Sequence, residues 1–340
     1  MKSMVVRSPR SRLVLEERGK PEPGHGQVRI KVSACGVCHS DHLVTDGLWP
    51  GLQLPRVPGH EVTGIVDVLG EGVQRFRVGD QVGLGWHGGH DGTCDVCLKG
   101  RFIHCRSARI TGISFDGGYQ QYLVVPEVAV VSMPVEMDFV EAAPLLCAGV
   151  TTFNALRNSG ARSGDLVGVQ GLGGLGHLGV QYARAMGFEV VAISRGNDKQ
   201  QFAHKLGAHH YVDSNRKDFA EAMAKLGGAR VILATAPHAK AISGLVAGLG
   251  LEGCLLIVAA PFEPIAVSAI DLISRDARVQ GWSSGTASDS TDAISFAAKH
   301  GVRPMIEKFR LSEASQAVDA MMKGTVRFRA VLDMTMEDSE

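Results

Sequence analysis

The residues with the clearest chemical meaning are three closely spaced cysteines in the first third of the chain. Cys94 and Cys97 are separated by two residues, and Cys105 follows after a short loop. Thiolates at this spacing are typical of a structural zinc site, which needs four ligands. Asp91 lies three residues before Cys94 and offers a carboxylate as the fourth ligand, and His90 is the other local candidate. A lobe of reduced cysteines without metal is the alternative, because carboxylate is a harder zinc ligand than thiolate.

A glycine-rich loop in the middle of the chain is typical of a dinucleotide phosphate site. It lies between a predicted strand and a predicted helix and consists of Gly171-Leu172-Gly173-Gly174-Leu175-Gly176. In that context Gly171 permits a tight turn, Gly173 lets the backbone approach a pyrophosphate, and Gly176 lets helix and strand pack closely. The phosphates would then lie at a helix N-terminus, which favours anions. The alternative is a glycine-rich turn in an ordinary α/β fold.

The strand after the glycine loop indicates which nicotinamide dinucleotide is bound. An NAD site usually has an acidic residue about 20 residues after the loop, where it binds the ribose 2′-hydroxyl. This chain has Ser194 and Arg195 there, and Asp198 lies further into the following loop. A hydroxyl and a guanidinium suit a 2′-phosphate, so NADP(H) is predicted in preference to NAD(H). The alternative is a surface arginine beside an NAD site that lacks the acid.

The elements that must position these residues change in character near residue 150. The first 150 residues are β-rich, with predicted strands at 27–34, 62–69 and 81–84. Beyond them, short apolar strands alternate with helices, which implies a parallel sheet covered on both faces. The strands predicted there are 166–170, 190–193, 211–212, 230–234 and 254–259, and the helices are 174–186, 199–206 and 239–249. The last part has predicted helices at 292–299 and 313–322, a strand at 329–333 and an end, 334–340, that is expected to fray.

Composition limits the class of protein and of partner. The 340 residues are 45% hydrophobic and 21% charged, as in soluble globular proteins, and the formal net charge is +0. Zero net charge argues against nucleic acid and anionic membranes as partners. No apolar run is long enough to span a bilayer, and the N-terminus lacks the apolar core of a signal peptide. These two absences predict a cytoplasmic protein. In such a reducing compartment, seven cysteines, three of them clustered, favour metal binding over disulfides.

Five motifs in this sequence resemble those of the zinc-containing medium-chain alcohol dehydrogenases. In chain order they are Ala34-Cys35-Gly36-Val37-Cys38-His39-Ser40-Asp41, Pro58-Gly59-His60-Glu61, Gly79-Asp80-Gln81-Val82, Leu145-Leu146-Cys147-Ala148-Gly149-Val150-Thr151-Thr152 and the glycine loop. The resemblance covers almost the whole chain and looks closest to the cinnamyl-alcohol-dehydrogenase-like and microbial branches. It implies a two-domain α/β protein. A GroES-like catalytic domain would span 1–150 and be completed by 286–340, and a Rossmann dinucleotide-binding domain with a doubly wound parallel sheet would span 151–285.

The resemblance also implies roles for residues that spacing alone cannot join. Cys38, His60 and Cys147 would hold a catalytic zinc whose fourth position is open to water or substrate oxygen. Glu61 would be an occasional ligand behind the metal, and Asp41 would orient His60 by a hydrogen bond. The remaining implied contacts are Ser40 with the substrate oxygen, Thr151 with the nicotinamide, His39 and Arg329 with the pyrophosphate, and Trp49 and Trp86 as walls of the substrate pocket. Core packing is the alternative role of the two tryptophans.

Two positions depart from the family pattern. Asp91 stands where the family has the first cysteine of its structural zinc site, which leaves occupancy of that site open. Leu43 stands where many members have a proton-relay histidine, and His42 lies one residue early. Proton exit beyond Ser40 is therefore expected to run through the cofactor ribose or water.

The combined prediction is a zinc-dependent alcohol dehydrogenase or aldehyde reductase that transfers hydride between a primary or secondary alcohol and NADP. An NAD-dependent alcohol dehydrogenase is one alternative, and a non-catalytic metal- and dinucleotide-binding sensor is an alternative of another class. Cys147 disfavours a polyol dehydrogenase, which usually has Glu as the third ligand, and the complete ligand set disfavours a zinc-free quinone reductase. The expected partners are a small alcohol or aldehyde and further copies of the chain, in a tetramer or alternatively a dimer.

Overall fold

Two units make up the part of the chain that the structure, a computed structural model, describes, which is residues 1–336. The first unit contains Met1–Val150, Gly285–Lys299 and the chain from Arg303 onward. The second contains Thr151–Ser284 and His300–Val302. Of the end that is expected to fray, residues 337–340 lie outside the described part.

Strands and helices are numbered here along the chain. The strands are β1 Lys2–Val5, β2 Val14–Glu17, β3 Gln27–Gly36, β4 Glu61–Leu69, β5 Gln81–Leu84, β6 His87–Gly89, β7 Arg109–Ile110, β8 Tyr122–Pro126, β9 Val130–Ser132, β10 Leu166–Gln170, β11 Glu189–Ser194, β12 His210–Asp213, β13 Ala229–Ala234, β14 Leu249–Ile257, β15 Arg278–Gly281, β16 Ile306–Phe309 and β17 Arg329–Asp333. The helices are α1 His42–Thr45, α2 Phe139–Ala142, α3 Ala148–Arg157, α4 Gly176–Ala185, α5 Gln200–Lys205, α6 Phe219–Lys225, α7 Ala239–Ser243, α8 Ala269–Ile273, α9 Ala287–His300 and α10 Ala314–Lys323.

The first unit is built on a mixed seven-stranded sheet. Its spatial order is β16-β17-β3-β4-β5-β9, and β8 also pairs with β3. The long strand β3 is central because its alternating apolar residues, Val28, Ile30 and Val32, are all buried in one core. Antiparallel pairing of β3 with β4 and β17 brings the end of β3 beside the start of β4. This junction carries the first group of candidate ligands.

The second unit is a six-stranded parallel sheet in the order β12-β11-β10-β13-β14-β15. The chain builds outward from β10 through β11 and β12, then returns to the other side of β10 at β13. Ligands of such sheets bind at the carboxyl ends of the strands where the order reverses, here β10 and β13. The glycine loop directly follows β10, which is buried along its whole length. A β-rich unit and a doubly wound parallel unit confirm the predicted fold class.

Elements with a strong apolar pattern lie where the sequence predicts them. The predicted strands 81–84, 166–170 and 329–333 coincide with β5, β10 and β17. The predicted helix 239–249 is instead the short helix α7 followed by a 3₁₀ stretch, Gly244–Gly248, because its two glycines disfavour regular helix. The edge strand β15 is absent from the prediction because none of its four residues is buried, so it has no apolar run.

Among the described residues, no single helix is long and apolar enough to cross a membrane. One bent pair, Phe139–Leu146 with Ala148–Arg157, passes by length and composition, with 52° between its two parts. Most of its residues are buried within the protein.

Candidate metal centres and dinucleotide loop

The first cluster consists of Cys38, His60, Glu61 and Cys147. One strand pair brings the first three of these residues together. Cys38 follows the end of β3, and His60 lies directly before β4, which begins at Glu61. The strands run antiparallel with Gly36 opposite Glu61. A Cβ at Gly36 would lie 1.9 Å from a carboxylate oxygen of Glu61, so this close approach requires glycine. The residues are thus neighbours although they are distant in sequence.

Cys147 completes the cluster from a 3₁₀ turn that ends at Leu146. Its sulfur lies 3.8 Å from the sulfur of Cys38. One candidate ligand atom from each of Cys38, His60, Glu61 and Cys147 lies within 4.8 Å of all the others. Two sulfurs bound to one tetrahedral zinc at about 2.3 Å stand roughly 3.8 Å apart. The donor atoms and their spacing therefore fit zinc.

A hydrogen bond fixes the ring of His60. Its Nδ1 contacts Oδ1 of Asp41 at 3.0 Å, and both side chains are almost fully buried. Trp86 packs against the ring in a T-shaped arrangement, with 5.0 Å between the ring centroids. His60 Nε2 is buried and has no hydrogen-bond partner in the described chain. A buried polar atom without a partner is unfavourable, so the free Nε2 suits a metal ion, with Asp41 setting the tautomer.

The charges in this cluster shift the pKa values of its members. Contact with Cys147 lowers the pKa of Cys38 against the effect of burial, and His60 adds to the lowering. The same contact and burial raise the pKa of Cys147. Burial opposes charge on His60, but Asp41 and Cys38 together raise its pKa. Of the two thiols, Cys38 is therefore the one that loses its proton more easily, and the thiolate is the form that binds a metal.

Glu61 and Arg329 form a buried ion pair behind the cluster. A guanidinium nitrogen of Arg329 donates to Oε1 of Glu61 and to the carbonyl oxygen of Val37, the latter at 3.1 Å. Burial raises the pKa of Glu61 to about 7, although Arg329 opposes the rise. The second carboxylate oxygen, Oε2, is buried without a partner among the described residues. The ion pair engages the guanidinium of Arg329, and contact of this residue with a pyrophosphate stays a prediction.

The other residues with implied contacts lie around the first cluster and on α3. Ser40 is half-buried and His39 exposed in the 3₁₀ turn that follows Cys38. Thr151 is buried on α3. Leu43 is half-buried, and His42 Nδ1 contacts the carbonyl oxygen of His39. The contacts of these residues with substrate and cofactor stay predictions.

Trp49 and Trp86 lie edge to face, with ring centroids 5.9 Å apart. Both are half-buried and pack against the core of the first unit. Trp86 also contacts His60, so the pair joins the core to the cluster. This arrangement is compatible with the predicted pocket wall and with core packing.

The second cluster brings together Asp91, Cys94, Cys97 and Cys105, whose candidate ligand atoms all lie within 4.8 Å of one another. The sulfurs of Cys94 and Cys105 are 3.9 Å apart. Asp91 Oδ1 accepts the backbone N–H of Cys94 at 2.9 Å and that of Thr93 at 2.8 Å, and these bonds hold the pKa of Asp91 well below its usual range. The carboxylate is therefore ionised, as a metal ligand must be.

His90, the other candidate for fourth ligand, has different neighbours. Its ring stacks on Phe102 at 4.3 Å between centroids, and its Nδ1 contacts Nε2 of His87 at 3.1 Å. Of the two candidates, Asp91 is therefore the one whose side chain joins the three thiols.

The glycine loop has the geometry that its motif requires. Gly171 has a φ of +88°, and its N–H donates to the carbonyl of Ile193 at 2.8 Å. A Cβ at Gly176 would lie 1.6 Å from the carbonyl oxygen of Gly171. A Cβ at Gly173 would meet nothing within 4 Å, so the backbone is open there. Helix α4 begins at Gly176 without a side-chain cap, and the N–H groups of His177 and Leu178 donate to the carbonyls of Gly173 and Leu175, both at 3.1 Å. Contact of a phosphate with this helix start stays a prediction.

The end of β11 carries an acidic neighbour that sequence reasoning missed. Ser194 is buried and Arg195 exposed, and Asp213 at the end of β12 lies directly opposite Ser194. Asp213 Oδ1 accepts the N–H of Gly196 at 2.9 Å, and the Tyr211 hydroxyl donates to the Gly196 carbonyl at 2.6 Å. The adjacent strand therefore supplies a carboxylate to the loop that holds Arg195. Asp213 could have been found only from the register of β12 beside β11, which the sequence of a single strand does not give.

Tyr119 is a second residue that sequence reasoning missed. It is fully buried, and its hydroxyl donates to Oδ2 of Asp41 at 2.9 Å. In sequence it follows two glycines in a loop, with no nearby ligand motif to mark it.

A β-rich unit with two clusters of zinc-type ligands and a parallel unit with a dinucleotide-type glycine loop are together typical of the zinc-binding dehydrogenases. Family models agree, since an alcohol dehydrogenase GroES-like domain matches residues 24–135 and a zinc-binding dehydrogenase domain matches residues 174–335. The chain belongs to this family of zinc-binding alcohol dehydrogenases, which confirms the resemblance seen in its motifs.

Individual relatives cover the chain almost completely. Alcohol dehydrogenase patD of Penicillium expansum is 46% identical over 333 residues, which is 98% of this chain and 97% of the relative. A cinnamyl alcohol dehydrogenase from Sorghum bicolor has a TM-score of 0.91 and 32% identity, covering 100% of this chain and 99% of its own. The CAD from Helicobacter pylori, solved with NADP(H), has a TM-score of 0.89 and 28% identity, covering 99% of each chain.

Proposed function

We propose that this protein reversibly oxidises a primary or secondary alcohol to an aldehyde or ketone, with NADP as the hydride acceptor. The observation that carries the proposal is the convergence of Cys38, His60 and Cys147, with a buried and unpartnered Nε2 on His60. Zinc bound there would supply a Lewis acid for the substrate oxygen, and a nicotinamide would supply the hydride acceptor.

The residues around the cluster have separate tasks in this proposal. Cys38, His60 and Cys147 hold the metal, and Asp41 keeps the His60 ring in its binding orientation. Ser40, half-buried two residues after Cys38, takes the proton of the substrate hydroxyl and passes it to water, since Leu43 cannot carry it.

Trp49 and Trp86 favour a substrate with a flat or apolar body. Their rings lie edge to face, and Trp86 also contacts His60. Aromatic surfaces of this kind exclude water and pack against apolar groups. Small aromatic and aliphatic aldehydes are therefore the first substrates to test.

NADP(H) is the favoured cofactor because Ser194 and Arg195 end the strand after the glycine loop. The exposed guanidinium of Arg195 is free to pair with a 2′-phosphate, and Ser194 adds a hydroxyl. NAD(H) is the second candidate, and Asp213 is the observation that favours it. Its carboxylate lies opposite Ser194 and is an acceptor for ribose hydroxyls of the kind that NAD sites provide.

We further propose that the protein acts in the cytoplasm as a homo-oligomer, either a tetramer or a dimer. All seven cysteines are free thiols, as expected in a reducing compartment. The second unit has the edge strand β15 and, on α8, the exposed side chains of Ile270 and Ile273. An open strand edge and exposed isoleucines are features that a further copy of the chain can cover.

The test is oxidation of NADPH and of NADH with a panel of aldehydes, before and after treatment with a zinc chelator. We expect NADPH oxidation that chelation abolishes. Cys38→Ser should lose turnover but keep NADPH binding measured by fluorescence titration. Full activity of Cys38→Ser would contradict the zinc role, and tight metal and cofactor binding without turnover of any substrate would favour the sensor alternative.

A further inference from the structure

We infer that Tyr119 is a positioning residue for the metal ligand His60 and acts through Asp41. This inference rests on the zinc site of the proposed function. The Tyr119 hydroxyl donates to Oδ2 of Asp41 at 2.9 Å, and Oδ1 of the same carboxylate contacts His60 Nδ1 at 3.0 Å. A continuous chain of two hydrogen bonds thus leads from a core tyrosine to the ring that presents Nε2 to the metal.

The carboxylate of Asp41 is held by three donors. Besides Tyr119 and His60, the backbone N–H of Cys38 donates to Oδ2 at 2.9 Å. Asp41 is 2% exposed, so bulk water cannot replace a donor that is lost. Hydrogen bonds to a buried carboxylate are strong, and two of them on Oδ2 keep Oδ1 turned toward His60. Without the Tyr119 hydroxyl, Oδ2 keeps only the Cys38 N–H of these two donors, so the carboxylate is held less firmly in the orientation that faces His60.

Tyr119 is itself held firmly against the segment that leads to His60. Its N–H donates to the carbonyl of Pro58 at 3.0 Å, and its carbonyl accepts the N–H of Met4 at 2.8 Å. A Cβ at Gly59, whose φ is +100°, would lie 2.4 Å from the tyrosine ring. Gly59 is therefore glycine both for its backbone conformation and to admit this ring. The tyrosine and the histidine are fixed relative to each other by the same short segment.

The position of the hydroxyl distinguishes this role from core packing. Phenylalanine would fill the same apolar space, and a buried tyrosine hydroxyl needs a partner. Here the partner is the carboxylate that orients a metal ligand. The hydroxyl therefore contributes to metal retention beyond what the ring contributes to the core.

The first experiment compares zinc release from Tyr119→Phe and from the unchanged protein after addition of excess chelator. The release phase of this site is assigned with Cys38→Ser, in which that phase is missing. We expect Tyr119→Phe to release zinc about tenfold faster, at the lower end of the effect of residues that support metal ligands. Tyr122→Phe is the matched control, because its ring contacts Lys20 at 4.2 Å and it should release zinc at the original rate.

A spectroscopic measurement separates positioning from general loosening of the fold. With cobalt in place of zinc, the thiolate-to-cobalt absorption bands should change in Tyr119→Phe and not in Tyr122→Phe. Fluorotyrosine incorporated at position 119 keeps the ring and makes the hydroxyl a stronger donor. This form should release zinc no faster than the unchanged protein, and it keeps the inference testable if Tyr119→Phe does not fold.

A double-mutant cycle tests whether Tyr119 acts through Asp41. In an Asp41→Asn background, the Tyr119→Phe change should alter the zinc release rate less than about twofold. The inference is overturned if Tyr119→Phe releases zinc at the original rate, or if its effect is equally large in the Asp41→Asn background. Lack of alcohol turnover by the unchanged protein would instead defeat the proposed function, while the zinc release rates would still decide the role of Tyr119.

Discussion

Arg195 is the single side chain on which the cofactor proposal depends most. It is exposed after β11, beside the buried Ser194, and hydrogen bonds to charged groups contribute roughly 1.5–3 kcal/mol. We therefore expect Arg195→Ala to weaken binding of NADPH and of 2′,5′-ADP by about 10- to 100-fold and to leave NADH unchanged. Isothermal titration calorimetry gives both affinities. An equal loss for NADPH and NADH would remove the case for a 2′-phosphate site.

Asp213, near Arg195, is expected to weaken binding of a 2′-phosphate. Its carboxylate lies across from Ser194 and accepts the N–H of Gly196, so its negative charge disfavours a phosphate nearby. Asp213 is half-buried and still in contact with water, where a charge contributes about 1 kcal/mol, so Asp213→Asn should tighten 2′,5′-ADP binding by about two- to fivefold. Asp198→Asn, in the exposed part of the loop, is the control. Weaker binding of NADH to Asp213→Asn would instead identify Asp213 as a ribose ligand.

At the scale of elements, the turn from β10 into α4 contains glycines that are needed for different reasons, one for packing within the turn and one for access of a ligand to the backbone. A Cβ at Gly176 would collide with the carbonyl of Gly171, whereas a Cβ at Gly173 meets nothing. Gly176→Ala should lower stability by about 1–3 kcal/mol, as overpacking does, and should weaken NADPH binding as well. Gly173→Ala should leave the unfolding temperature unchanged and weaken NADPH binding only.

Thermal unfolding and fluorescence titration measure the two effects separately. Equal unfolding temperatures for Gly176→Ala and Gly173→Ala would show that the loop relaxes around the added methyl group. Unchanged NADPH affinity in Gly173→Ala would argue against a pyrophosphate over this residue.

In the proposed structural zinc site of the second cluster, Asp91 would be the fourth ligand beside three thiolates. Thiolate suits zinc better than carboxylate, so Asp91→Cys should slow zinc release from this lobe by roughly tenfold. The Asp91→Ala variant should bind one zinc ion fewer per chain than the unchanged protein. Metal content by mass spectrometry and release to a chelator give both quantities. If Asp91→Ala retains the metal content of the unchanged protein, the carboxylate is not a ligand.

The elements that could be predicted from sequence are those that contain enough apolar residues of their own to indicate that they are buried. The strands β5, β10 and β17 follow from their apolar residues, and the glycine loop follows from its motif. Strand β15 could not be predicted, because no residue of it is buried and its place comes from pairing with β14. Tyr119 and Asp213 could not be found either, because each acts on a residue that only the folded register brings near.

For the whole molecule, the proposed homo-oligomer needs a contact between subunits, and the second unit offers exposed apolar residues for it. None of the residues of α8 is buried, and Ile270 and Ile273 are 75% and 77% exposed. Strand β15 at the sheet edge has free backbone groups of the kind that pair with another chain. Single exposed apolar residues are ordinary, but two on one short helix in the same unit as an open strand edge favour a subunit contact.

Ile270→Glu combined with Ile273→Glu should therefore lower the mass of the assembly, because burying two carboxylates without partners opposes association. Light scattering after size-exclusion chromatography measures this mass, and NADPH and zinc binding should persist in the smaller species. Val135→Glu is the matched control, because Val135 is 79% exposed on the first unit. An unchanged mass in the double variant would exclude α8 from the contact between subunits, and a fall in mass with Val135→Glu instead would assign that contact to the first unit.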